Sequence, residues 1–109
     1  MENENSNVNI SAAELRETLK NESGNVVIID LMNKEDFAKR HIPGAINIPL
    51  NELENHVSEI PTDKTIVITC NRGLTKTEMG FQHLQNQGFT KLKKLSGGIF
   101  GWFENETSP

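Results

Sequence analysis

Thr65-Ile-Val-Ile-Thr-Cys70-Asn-Arg-Gly-Leu-Thr-Lys-Thr77 is the stretch that decides the fold. Ile66-Val-Ile68 is short, uncharged and β-branched, the composition of a strand buried on both faces. A segment with Arg72 and Gly73 follows Cys70. A helical pattern then opens near Thr75, carrying Met79, Phe81 and Leu84 toward Gly88, a residue type suited to a helix C-terminus. The chain's one cysteine therefore stands where a strand stops and a loop leads into a helix. In an open parallel sheet, ligands bind beyond the carboxyl ends of the strands. A helix N-terminus offers unpaired N–H groups and about half a positive charge. A thiol held there is expected to ionise below its ordinary value of about 8.5. A lone cysteine at a strand end is ordinarily structural. Here Arg72, Gly73 and Lys76 tip the balance toward chemistry: two cations lie within one loop of the sulfur, and the glycine lets backbone amides turn inward.

The whole chain sets the bounds. Its 109 residues make one domain, with residues 8–103 expected to be ordered and polar tails at 1–7 and 104–109. A hydrophobic share of 35% and a charged share of 24% fit a globular chain rather than a disordered one. The net charge of −4 argues against a nucleic-acid surface, so any anion site must come from a few cations gathered locally. No apolar run approaches the roughly 20 residues that span a bilayer, and no membrane partner is expected. The N-terminus lacks the basic and apolar regions of a secretory leader, and one cysteine cannot form an intramolecular disulfide. Both features point to a reducing, cytoplasmic setting. His41, His56 and His83 have no metal-like spacing, so neither metal nor cofactor is expected.

Working outward from the central stretch, strands and helices alternate. Val8 and Ile10 suit a brief edge strand, and Ser11-Ala-Ala-Glu14 is a capping box opening a helix through Leu15 and Leu19. Val26-Val-Ile-Ile29 reads as a buried strand closed by Asp30. A short helix over residues 34–40 turns Phe37 inward, His41-Ile-Pro-Gly44 makes a turn, and Ala45-Ile-Asn-Ile48 reads as a strand. A short helix over residues 51–57 precedes the central strand. Beyond the central helix, Lys91-Leu-Lys-Lys-Leu95 supplies a fifth strand whose lysines suit a solvated edge. Gly97-Gly98 then opens a last helix bearing Phe100, Trp102 and Phe103, the tryptophan expected in the core. This alternation implies a mostly parallel sheet with helices on both faces. Asp30 and Cys70 then share the sheet's C-terminal edge, which makes Asp30 a pocket neighbour or an aspartate bonding the next turn's backbone. His41 suits a bond to a backbone carbonyl, and His56 and His83 suit solvated helix positions.

Two flanking stretches carry a family resemblance. Ile29-Asp-Leu-Met-Asn-Lys-Glu-Asp-Phe-Ala-Lys-Arg-His-Ile-Pro-Gly-Ala-Ile-Asn-Ile-Pro49 resembles the N-terminal signature of the rhodanese-like family, and Leu95-Ser-Gly-Gly-Ile-Phe-Gly-Trp102 resembles its C-terminal Gly-Gly-x-x-x-Trp element. Cys70-Asn-Arg-Gly-Leu-Thr75 is similar to the active-site loop of thiosulfate-type sulfurtransferases. The resemblance implies the rhodanese-like three-layer α/β fold, a mostly parallel five-stranded sheet flanked by helices. It also implies a sulfur carrier whose thiolate takes a sulfane sulfur from a small anionic donor such as thiosulfate. The persulfide then passes that sulfur to cyanide or a thiol, including a thioredoxin-like or other protein thiol. Cys70 would be the nucleophile. The N–H groups of Asn71, Arg72, Gly73, Leu74, Thr75 and Lys76 would cradle the persulfide and leaving group. Arg72 would hold the donor's oxygens, and Thr75 would either donate to the sulfur or cap the helix. Three positions depart from the family pattern: Met32 stands for an arginine, Arg40 for a glycine and Asn71 for an arginine.

Two other functions compete with this one. A cysteine phosphatase or arsenate reductase needs Cys-x5-Arg, and the residue in that place is Lys76, which lacks the planar two-point contact of an arginine. A non-enzymatic or partner-dependent sulfur-relay module would keep the fold without free turnover.

Overall fold

The computed structural model describes residues 8–72 and 74–107, the side chains of 105–107 excepted. Five strands form one sheet: β1 (Asn9–Ile10), β2 (Val26–Asp30), β3 (Ile46–Asn47), β4 (Thr65–Thr69) and β5 (Leu92–Leu95). Their order is β1-β5-β4-β2-β3, and every pairing is parallel. Five helices connect them: α1 (Ala12–Glu22), α2 (Lys34–Lys39), α3 (Leu53–His56), α4 (Thr75–Asn86) and α5 (Gly98–Thr107). Single 3-10 turns at Leu50–Glu52 and Val57–Glu59 flank α3.

The period-two geometry of a strand explains why the apolar runs read as continuous. Along β4, Ile66 and Ile68 join one cluster with Phe81 and Leu84 of α4 and Leu53 of α3. Val67 between them joins the opposite cluster, with Ala12 and Leu15 of α1 and Ile99 and Trp102 of α5. Neither face is left to water, and the buried polar residues of these strands, Asp30 and Thr69, stand at their C-terminal ends. The helix starts follow local chemistry. The capping box at Ser11 forms in full: the Ser11 N–H donates to Glu14 Oε1 at 2.9 Å and the Glu14 N–H to Ser11 Oγ at 3.0 Å. Asn33 caps α2 by accepting from the Asp36 N–H at 2.8 Å. Arg16 of α1 ties the first helix to the last, donating to the Trp102 carbonyl at 2.7 Å with its guanidinium 4.0 Å from the indole centroid.

Several expectations shift. β5 lies between β1 and β4 rather than at an edge. Lys94 is accordingly half-buried, pairing with Glu78 at 2.8 Å and resting over Phe81. β3 shrinks to two residues. α5 runs on to Thr107 through the stretch expected as a polar tail, because nothing after Gly101 breaks a helix. The α4 residues that face the sheet are Thr77, Gly80, Phe81 and Leu84, which leaves Met79 mostly exposed. Gly80 permits the close approach, since a Cβ there would stand 2.5 Å from Leu31 Cδ1. The expectation for residues 1–7 lies outside the described residues. Among those described, no helix is long and apolar enough to cross a membrane.

Candidate active site

The parallel register puts Asp30 opposite Thr69, so the chain leaves β2 and β4 side by side at the C-terminal edge. Cys70 is the first residue beyond β4 and is 8% exposed, within the cluster that holds Met32, Ile99 and Trp102. Two backbone bonds fix its loop to α5: the Ile99 N–H donates to the Cys70 carbonyl and the Phe100 N–H to the Asn71 carbonyl, each at 2.9 Å. These donors belong to the first turn of α5, whose amides have no partners within the helix. Gly97 and Gly98 make the turn that delivers them, with φ of +81° and +59°. A Cβ on Gly97 would also press within 3.3 Å of the Gly101 Cα. The Gly-Gly element is thus a device for seating α5 on the cysteine loop.

The thiol does not ionise as the loop position alone suggests. Burial pushes Cys70 above its ordinary value. The Asn71 N–H and the Lys76 ammonium oppose that rise, while Asp30 and Asp36 add to it. The expected fall in pKa is therefore corrected: desolvation outweighs the cations in the resting site. Lys76 is the cation whose field lowers it. Arg72 is exposed and lays its guanidinium carbon 4.7 Å from the Phe100 ring centroid. Thr75 begins α4 at its first position with Leu74 in the cap place, so the N-cap role expected for Thr75 is not seen. No hydrogen bond joins its hydroxyl to Cys70 among the described residues. Leu74 is 67% exposed at the rim, and the expectation for Gly73 lies outside the described residues.

Asp30 does bond the following turn, accepting from the Met32 N–H at 2.9 Å through Oδ1. It is fully buried, and Oδ2 has no partner among the described residues. Burial raises its pKa to about 6, against the Met32 N–H and the His41 ring, which favour the charged form. The arginine that the family pattern puts two residues later is Met32, 2% exposed and packed beside Cys70. The carboxylate therefore has no adjacent guanidinium. Asn47 braces the same loop, its side chain donating to the Asp30 and Met32 carbonyls at 3.1 and 2.8 Å. His41 behaves as expected, with Nδ1 2.6 Å from the Phe37 carbonyl and its ring stacked 3.8 Å from that of Phe37. His83 is not a solvated position. Its Nε2 is buried, without a partner among the described residues, in the wall of a groove of about 540 Å³ that also includes Lys76 and Met79.

On the other side of the loop, a mouth of about 400 Å³ is lined by Asp36, Lys39, Arg40, Asn71, Ile99 and Phe100. Arg40 was legible only as a departure in a turn. In the fold its guanidinium lies 4.7 Å from the Phe103 centroid and 5.6 Å from that of Phe100.

A parallel three-layer domain with one thiol at the end of its central strand, wrapped by a loop that two helices pin, defines a class of small thiol-bearing α/β proteins. The chain belongs to the rhodanese family: the rhodanese-like domain matches residues 11–105. It is 30% identical over 83 residues to the thiosulfate sulfurtransferase GlpE of Shewanella oneidensis, covering 76% of this chain and 81% of that one. It is 35% identical over 75 residues to YrkF of Bacillus subtilis, covering 69% of this chain but spanning only 40% of YrkF. Among solved structures, a rhodanese-related protein of Thermoplasma volcanium superposes with a TM-score of 0.79 at 27% identity. That match covers 93% of this chain and 94% of the other.

Proposed function

We propose that this chain is a sulfurtransferase that carries a sulfane sulfur on Cys70. The observation that carries this reading is the position of the thiol. It is sheltered at the sheet's C-terminal edge, faces the Asn71 N–H and lies in the field of Lys76. The kinship with GlpE supports thiosulfate as a donor. In the first step the Cys70 thiolate attacks the outer sulfur of thiosulfate. A Cys–S–S bond forms, the S–S bond of the donor breaks, and sulfite leaves with the bonding electron pair. In the second, cyanide or a thiolate attacks the outer sulfur of the persulfide. It leaves as thiocyanate or a new persulfide, and the Cys70 thiolate is restored. A protein thiol of the thioredoxin type serves as acceptor by the same displacement.

The surroundings of Cys70 suit an anionic cycle. The Lys76 ammonium and the Asn71 N–H favour negative charge on the sulfur. Arg72 supplies a further cation at the rim for the donor's oxygens. Burial holds the resting thiol above its ordinary value, and the Lys76 and Asn71 groups act against that rise.

Intact mass after incubation with thiosulfate tests this. A gain of one sulfur that a reductant removes, and that Cys70→Ser abolishes while remaining folded, is the expected result. No gain in the parent protein would favour a partner-dependent relay or a binding module instead, and a gain retained in Cys70→Ser would sink the mechanism.

A further inference from the structure

We infer that the groove walled by α3 and α4, on the far side of the cysteine loop from the mouth, binds an amphipathic organic monoanion, and that its occupation damps the reactivity of Cys70 through Lys76. Neither half needs sulfur chemistry, and both hold whether or not Cys70 ever carries a persulfide.

Helix α4 carries two stripes. Thr77, Gly80, Phe81 and Leu84 are its buried face, packed toward the sheet. Lys76, Met79 and His83, spaced by three and four residues, form a second stripe that lines the groove instead. Leu31, Leu50 and Leu53 supply apolar wall from outside the helix. Leu31 and Leu53 are each 1% exposed, so the core itself builds the bottom of the groove. Met79 is 55% exposed above it, a thioether that adapts to the shape it covers. At about 540 Å³ the groove falls within the roughly 300–1,000 Å³ of small-molecule sites.

Two polar groups here are unmet. His83 Nε2 is buried with no partner among the described residues, and a nitrogen left so is costly. A turn of the ring would offer it to a ligand oxygen, as donor or acceptor by tautomer. Lys76 is exposed, and no carboxylate pairs with it among the described residues. An apolar body would therefore lie on the leucines and Met79, with its anionic head on Lys76. Glu54 also lines the groove, and its charge disfavours a second negative charge on the ligand.

The coupling follows from the place of Lys76. The same ammonium lines the groove and favours the ionised form of Cys70. An anion bound to it cancels part of that field, so less of Cys70 is thiolate at a given pH. By linkage, negative charge on Cys70 loosens the ligand in turn. Cys70 does not line the groove, so the ligand acts on the charge of the sulfur and not by covering it.

Two measurements on the full chain test this. In the first, 4-phenylbutyrate is titrated by NMR, with neutral 4-phenylbutanamide as the control. Shifts should centre on Leu50, Met79 and His83 and leave Asn71 and Phe100 of the mouth in place. The amide should bind about two- to fivefold more weakly, the scale of one exposed charge pair. Met79→Glu, a change at an exposed position, should weaken phenylbutyrate about tenfold by removing apolar contact and adding repulsion. No shifts up to about 10 mM, shifts centred on Phe100, or equal binding of the amide would overturn the inference. The second measurement follows alkylation of Cys70 by iodoacetamide at about pH 8, where the thiolate sets the rate. Saturating phenylbutyrate should slow it about two- to fourfold, and the amide should not. Lys76→Gln should start slower, and phenylbutyrate should slow it no further. A rate indifferent to bound phenylbutyrate, or slowed as much in Lys76→Gln, would refute the coupling and with it the regulatory role of the groove.

Discussion

Replacing Asp30 by asparagine removes a carboxylate from the dry end of β2 while keeping an oxygen for the Met32 N–H. The wild-type carboxyl ionises at about 6 in the fold and near 3.8 in the unfolded chain, because burial disfavours its charged form. Each pH unit between those values is worth about 1.4 kcal/mol, so the ionised group costs the fold about 3 kcal/mol. Below pH 3.8 both states hold the proton and the cost is absent. Between 3.8 and 6 the unfolded chain releases its proton first, so stability falls as pH rises; above 6 the loss is complete. Urea unfolding of both proteins from about pH 4 to pH 7.5 isolates this group, since every other carboxylate and His41 remain in both. Asp30→Asn should gain on the wild type by about 2.5 kcal/mol across that range, offset by a roughly constant penalty for a buried amide N–H without an acceptor. The same variant should alkylate faster at Cys70, because the Asp30 charge helps hold that thiol up. A stability difference that stays flat with pH, or shrinks as pH rises, would refute the account of Asp30 as an uncompensated buried acid.

Two further outcomes follow from the site. Alkylation of Cys70 by iodoacetamide should still be climbing as pH passes 9, because burial holds the thiol above its ordinary value; a plateau near pH 7 would show that the loop cations win. Gly97→Ala forces a side chain into positive φ and against the Gly101 backbone. It should cost roughly 1–3 kcal/mol in urea unfolding and speed alkylation of Cys70, whereas an unchanged midpoint would mean that the Gly-Gly turn is not needed to seat α5.

Much of this architecture was legible because local patterns carry it. The β-branched runs at 26–29 and 66–68, the Ser11 capping box and the Gly97-Gly98 pair each specify their element within a few residues. What escaped the sequence was tertiary. The pairing of Asn9 with Lys94 and of Ile10 with Leu95 turns an apparent edge strand into an interior one, and no local signal announces a contact across 85 residues. The ionisation of Cys70 looked favourable from its neighbours in sequence. Its burial against Ile99 and Trp102, residues of a distant helix, reverses the sign. Met79 reads as apolar face until Thr77 and Gly80 are seen to take the inward positions. Arg40 looked like a substitution in a turn, and only α5 brings it to the same ring as Arg72.

The bonds from Ile99 and Phe100 to the Cys70 and Asn71 carbonyls bear on the order in which a ribosome delivers this chain. β4 and its thiol emerge before α5 exists, so the nascent cysteine is first a bare surface group, open to exchange with any passing disulfide. Docking of the last helix is the event that closes it off. A polypeptide stalled or clipped inside α5 would keep the nucleophile and lose its shelter, and would announce its own incompleteness by cross-linking to its neighbours.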